Sequence, residues 1–219
     1  AVEDRVEYPM TLIRQTSVAD AAKLDFANGI RSIMRQDPDV ILVGEIRDHD
    51  TAEMAFRAAM TGHQVYSTLH TNSAVGAIPR LLDIGIVPDV MAGNIIGIIA
   101  QRLVRKLCRT CRQSYEPDAR ERRLVGMNPS DAGALFRAVG CEQCDYQGYR
   151  GRSSILELLK VDPGIDELIA RRATAREILT AARAKGFKTL ADDGVRLVRT
   201  GVTSLDEVMR VVDLTDRMA

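Results

Sequence analysis

Four consecutive apolar residues, Val40–Val43, stop at Gly44 and are followed by a carboxylate, Glu45. A short run of this kind, rich in β-branched side chains, fits a strand buried on both faces of a parallel sheet. Parallel strands need long crossover connections, so helices are expected on either side. Asp20–Met34 places Ala22, Phe26, Ile30 and Ile33 at helical spacing. Thr51–Met60 is Ala-rich, with Thr51 as a candidate N-cap and Gly62 as the stop. Val65–Leu69 reads as a second buried strand and Ala1–Glu3 as the end of another. This alternation predicts an α/β fold with a parallel sheet.

Ser73–Leu82 and Val87–Val104 read as further helices. Asp89, Asn94, Gln101 and Arg102 interrupt the second, so a buried helix is expected there and not a membrane span. Cys108–Cys144 is turn-rich. Ile155–Leu159 is a short strand or a helix start. Ile165–Arg172, Ala175–Ala184, Asp192–Thr200 and Thr203–Arg210 are amphipathic. The last opens on Ser204 with Glu207 three residues on, a capping-box pattern.

In open α/β sheets, ligands bind at the carboxyl ends of the strands. Glu45 sits at such an end, the shape of a Walker B element, where a carboxylate can hold Mg²⁺ through water or polarise an attacking water. Glu3 would join it if Ala1–Glu3 is a neighbouring strand, and repulsion between the two acids would favour a divalent cation. The alternative is two solvated surface acids. His63 precedes the Val65–Leu69 strand and His70 follows it. Five extended residues span roughly 17 Å, so the two imidazoles cannot share one metal unless the segment bends. His70 falls at the expected active edge.

Cys108-x-x-Cys111 and Cys141-x-x-Cys144 use all four cysteines. Paired CxxC knuckles match a tetrahedral Cys₄ zinc site, and four protein ligands make such a site structural. Binding of about 10–16 kcal/mol would substitute for a core that so short a segment can hardly build. Two disulfides or free thiols are the alternatives. Residues 1–20 show no apolar leader segment, which weighs against disulfides.

Thirty basic residues balance thirty acidic ones. That neutrality argues against a broad nucleic-acid footprint, so no nucleic-acid partner is expected. Arg31, Arg35 and Arg47 lie in the α/β part, where guanidinium forks could grip phosphate or a neighbouring subunit. Arg102, Arg105, Lys106 and Arg109 cluster beside the first knuckle. A solvated helix end is the plain reading, and RNA or acidic lipid the other.

Several segments resemble one family. Glu3-Asp-x-Val-Glu-Tyr is similar to its Asp box, and Arg31 through Asp48 to its Walker B segment with the preceding helix. Thr61-Gly-His-x-Val-x-Ser-Thr-Leu-His-Thr-Asn72 is similar to its His box. Gln101-Arg-Leu-Val-x-x-Leu-Cys, Gly148-Tyr-Arg-Gly-Arg152 and Thr203-Ser-Leu-x-Glu-Val-Met-Arg210 complete the pattern. The family is the secretion ATPases of type II secretion and type IV pilus assembly. The zinc module and the tail look most like the type II secretion member, with the pilus-extension ATPase close behind.

The resemblance implies a RecA-like sheet, ATP with Mg²⁺ and Zn²⁺, a homo-hexameric ring, and contacts with inner-membrane platform proteins. It implies a cytoplasmic position at the inner face of the membrane. Glu3 and Glu45 would act on the attacking water and Mg²⁺. His63 and His70 would link nucleotide state to subunit movement, and Arg31, Arg35 and Arg47 would contact phosphate or a subunit interface. The expected division is 1–104 for part of the RecA-like domain, 105–152 for the zinc module and 153–219 for a helical region.

Two departures stand out. Arg5 occupies the position where the family usually has Pro, and no G-x-x-x-x-G-K-[S/T] occurs in the 219 residues. In the family the P-loop lies upstream of the Asp box, so the chain reads as a carboxy-terminal portion. A non-catalytic zinc-stabilised interaction module is the reading from another class. A zinc-ribbon RNA binder is a third.

Overall fold

A computed structural model describes residues 1–18, 25–128 and 130–217. The front of the expected Asp20–Met34 helix, with Ala22, lies outside the described residues. In chain order the elements are β1 (Val2–Glu3), β2 (Thr16–Ser17), α1 (Phe26–Ile33), β3 (Val40–Val43), α2 (His49–Met60), β4 (Gln64–Ser67), α3 (Ala77–Asp83), α4 (Pro88–Met91) and β5 (Gly97–Leu107). They continue with β6 (Gln113–Tyr115), α5 (Ala119–Val125), β7 (Leu135–Arg137), β8 (Tyr149–Lys160), α6 (Pro163–Ala170), α7 (Ala175–Ala184), α8 (Leu190–Arg199) and α9 (Leu205–Val211). Among the described residues no helix is long and apolar enough to cross a membrane. The chain divides into two compact units, Ala1–Ile98 with Leu159–Ala184, and Ile99–Leu158 with Lys185–Ala219.

The first unit is built on a four-stranded sheet in the order β2-β1-β3-β4, each neighbouring pair parallel. The α/β expectation with a parallel sheet therefore holds. Successive crossovers through α1 and α2 move the chain in one direction across the sheet. Right-handed connections then put both helices on the same face. That face carries Val2, Ile41 and Val43, all buried. The fit is close: a Cβ on Gly29 of α1 would lie 2.9 Å from Val2 Cγ1.

The opposite face differs from the sequence-based expectation of burial on both sides. Val40, Leu42 and Tyr66 are 56%, 42% and 57% exposed, because both crossover helices cover the other side. Leu42 and Tyr66 are register partners and so share this open face.

Two local expectations are corrected. Asp48, not Thr51, caps α2. Its carboxylate accepts from the Thr51 backbone N–H at 2.8 Å and from the Thr51 hydroxyl at 3.1 Å, and the helix gains two residues at its start. Val87–Val104 is not one helix: it splits into the one-turn α4 and the strand β5. Gly93-Asn94 interrupts the helix, and the β-branched Ile95, Ile96, Ile98, Ile99 and Val104 favour the extended state.

In the second unit β5 and β8 pair as a two-stranded sheet, and β6 and β7 form an antiparallel hairpin with Ser114 opposite Phe136. Between β6 and β7 runs α5, opened by a full capping box of Asp118 and Glu121. At α9, Ser204 accepts the Glu207 N–H, as the pattern predicts. The Glu207 side chain turns elsewhere. Fully buried, it accepts from Arg105 Nε at 2.9 Å and from Arg210 Nη2 at 2.8 Å. Burial alone would raise its pKa, but the two guanidinium groups win and hold it at about 2.

Candidate active site and candidate metal centre

The ends of β1, β3 and β4 form one edge of the sheet. Gly44 allows the closest approach there: its N–H donates to Val2 O at 2.7 Å, and a Cβ would lie 3.2 Å from Glu3 Cα. Glu3 and Glu45 therefore end adjacent parallel strands. Past β4, Thr68 ties back to the same turn, its hydroxyl donating to Gly44 O at 2.6 Å and its carbonyl accepting the Ile46 N–H at 2.9 Å. This brings His70 alongside, with Nε2 3.2 Å from Glu45 Oε2. Arg47 Nε lies 2.5 Å from the same oxygen.

Glu45 is thus the hub of this edge. Its side chain is 12% exposed, whereas those of Arg47 and His70 are 64% and 81% exposed. The Arg47 hydrogen bond holds the Glu45 carboxyl below the usual carboxylate range; burial opposes this, and His70 adds to it. The result is an ionised carboxylate, shielded itself but flanked by two side chains free to swing into solvent. Glu3 is oriented separately, by the Gln15 side-chain amide 2.9 Å from its Oε1.

The other residues singled out by sequence lie elsewhere in the unit. His63 stands at the start of β4, the end opposite His70. Its Nδ1 is 3.0 Å from Ala58 O and 3.1 Å from the Thr61 hydroxyl, so it closes the end of α2. Arg31, on α1, donates to Asn28 Oδ1 at 2.6 Å and reaches Met54 Sδ of α2. Arg35 lies exposed in the helical turn just before β3. A cavity of about 330 Å³ opens beside β4, lined by Phe56, His63, Val65, Ile95 and Ile96 among others. Gln15 escaped the sequence reading, and Thr68, though inside the His-box segment, has no role assigned there. Polar residues in loops carry no periodic signal, and only the fold reveals what they touch.

In the second unit the β6–β7 hairpin carries Cys111 before its first strand and Cys141 after its second, which accounts for the long spacing between the knuckles. All four Sγ atoms lie within 4.8 Å of one another. Cys108 and Cys141 are 3.9 Å apart, and the pairs Cys111–Cys144 and Cys141–Cys144 are each 3.8 Å apart. Disulfide sulfurs would be at about 2.05 Å, and the cysteines are free. A tetrahedron of thiolates about 2.3 Å from a central ion has edges of about 3.8 Å, so the donor set fits zinc.

Backbone N–H groups of Gly140, Cys141 and Gly148 point at Cys111 and Cys144 sulfurs at 3.2–3.3 Å, a preformed shell for negative charge. The Thr110 N–H helps pull the Cys108 thiol down to about 7, while burial pushes Cys141 up to about 11.

A family model described as "Type II/IV secretion system protein" matches residues 1–210. The type II secretion system ATPase E of Vibrio cholerae serotype O1 is 48% identical over 210 residues, which are 96% of this chain and 42% of that protein. The type IV pilus assembly ATPase PilB of Thermus thermophilus is 45% identical over 210 residues, 95% of this chain and 24% of that one. A solved structure of the pilus retraction motor PilT with bound ADP superposes with a TM-score of 0.68 at 28% identity, over 96% of this chain and 51% of that chain. The chain thus spans less than half the length of these two curated relatives.

Proposed function

The chain belongs to the type II/IV secretion system protein family, and from that premise we propose that it is the carboxy-terminal part of a hexameric motor that hydrolyses ATP to drive pseudopilus assembly and protein export by type II secretion. Type IV pilus extension is the alternative, supported by the similar identity to a pilus assembly ATPase. The observation that supports the reading is that Glu3 and Glu45 stand at the carboxyl ends of adjacent parallel strands, with His70 Nε2 3.2 Å from Glu45 Oε2. The division into residues 1–104, 105–152 and 153–219 is part of the same proposal.

Glu45 and Glu3, side by side at that edge, orient the attacking water and the hydration shell of the cation. Mg²⁺, when bound, offsets charge on the transferring phosphoryl group. Arg47 and His70 share Glu45 Oε2 and are mostly exposed, so either can leave it for a nucleotide phosphate. That makes the Glu45 contacts a sensor of nucleotide state, with His70 the reporter just past the carboxyl end of β4 and His63 just before its start. Arg31 and Arg35, towards the start of β3, are assigned to contacts between subunits of the ring.

The open edge of β4, the cavity beside it and the bare Leu42–Tyr66 face support a place for upstream chain bearing the P-loop. Cys108, Cys111, Cys141 and Cys144 would hold zinc as a closed crosslink without a catalytic position. Contacts with platform proteins at the inner face of the membrane follow from the type II secretion reading.

The test is ATP turnover by the longer protein that includes the upstream segment, beside the 219-residue chain. Activity is expected in the longer protein, with negligible turnover in the shorter one, which has no P-loop lysine. Comparable turnover by the 219-residue chain would overturn the assignment.

A further inference from the structure

We propose that Gln15 is a positioning residue for Glu3, fixing its carboxylate for the hydrolytic step; this rests on the motor reading above. Glu3 ends β1, and the chain returns through a loop to β2, where it pairs in parallel with β1. Gln15 stands just before β2, and its side-chain amide is the tie across that loop. Its Oε1 accepts the Met10 backbone N–H at 2.7 Å, and its Nε2 donates to Tyr8 O at 3.1 Å and to Glu3 Oε1 at 2.9 Å.

The orientation of the amide is dictated by the backbone. A peptide N–H can only donate, so the oxygen must face Met10, and a peptide carbonyl can only accept, so the amino group must face Tyr8. The amino group therefore also faces Glu3. Gln15 can then donate to the Glu3 carboxylate and cannot accept from a carboxylic acid there. It thereby holds one of the two carboxylate oxygens in place. The partner oxygen, Oε2, is the one we assign to the attacking water. A side chain fixed by two backbone groups is a rigid support, and rigid support of a reacting group is where angular precision comes from.

The experiment uses the full-length protein and reads kcat and the KM for ATP separately. Gln15→Glu keeps the acceptor for Met10 but sets an acid against Glu3. We expect kcat to fall by about tenfold or more with KM changed less than about twofold, because the lost interaction concerns the reacting geometry and not nucleotide binding. The control is the exchange pair Glu3→Gln with Gln15→Glu, which remakes the hydrogen bond in the reverse sense. It should recover part of the melting temperature lost in Gln15→Glu, the tie to Tyr8 O staying broken in both, while kcat stays at the level of Glu3→Gln alone.

A kcat for Gln15→Glu within about twofold of the parent, or a loss carried wholly by KM, overturns the positioning role. So does recovery of kcat in the exchange pair, which would make the contact structural only. If Glu3→Gln by itself leaves kcat unchanged, the motor reading of Glu3 fails, and the Gln15 proposal falls with it.

Discussion

The carboxylate edge of the first unit and the cysteine cluster of the second are both sets of acidic donors, yet they are held in opposite ways. At the edge, Glu45 is gripped by side chains that are themselves 64% and 81% exposed. Such contacts are weak and exchangeable, since exposed ion pairs contribute about 0–1 kcal/mol. At the cluster, four sulfurs lie at tetrahedral edge lengths and are met by backbone N–H groups that cannot rotate away. The first arrangement suits a ligand that comes and goes, the second an ion that stays. A site's chemistry is thus told less by its donor types than by whether its partners are free to leave.

Removing the ion should produce the largest effect. Zinc is expected at one per chain, and stripping it, or the change Cys144→Ser, should unfold the hairpin region, on the scale of the ~10–16 kcal/mol of structural zinc binding. Metal analysis and circular dichroism with and without chelator check this. A fully folded, metal-free protein would remove the contrast between a permanent and a transient site.

Next in size is the buried Glu207. Glu207→Gln keeps the shape but strands two guanidinium groups, each about half exposed and so partly relieved by water. We expect a loss of about 2–3 kcal/mol in denaturant unfolding, below the 3–5 typical of a wholly buried pair. The same carboxyl sets an acid limit. Its pKa in the folded state, about 2, is below its value of about 4.3 in the unfolded chain. Its contribution is therefore complete above about pH 5 and lost as pH falls towards 2. The acid limb of the stability curve should flatten in Glu207→Gln.

The smallest effects separate the two histidines. His63→Ala removes the contact that closes α2 and should cost about 1 kcal/mol of stability. His70→Ala should leave stability within about 0.5 kcal/mol, as its partner contact is exposed, and act on turnover in the longer protein. Equal stability losses in the two variants would erase the distinction between the ends of β4.

Much of the edge was legible because a strand ending in an acid is a local pattern. Val40–Val43, Gly44 and Glu45 fix the strand, its end and its carboxylate in six residues, and the His box repeats the logic at His70. The knuckles were legible for the same reason. What sequence could not supply was whatever depends on partners far along the chain. Val87–Val104 reads as a helix because β5 keeps apolar residues on both faces: Ile99 and Leu103 are 67% and 48% exposed, so the alternation of a half-buried strand is missing. Arg105 reads as one of a solvated basic cluster, yet it is committed to Glu207, 102 positions away. Gln15 carries no signal until β1 and β2 are paired.

The central claim is that the Glu45 edge performs nucleotide hydrolysis. Single-turnover cleavage of bound ATP by the full-length protein carrying Glu45→Gln tests it most directly. ATP should be bound about as tightly as by the parent but cleaved at least about 100-fold more slowly, the scale of losing one preorganised group at a reacting centre. Cleavage at the parental rate, with the same fold and the same affinity, would contradict it.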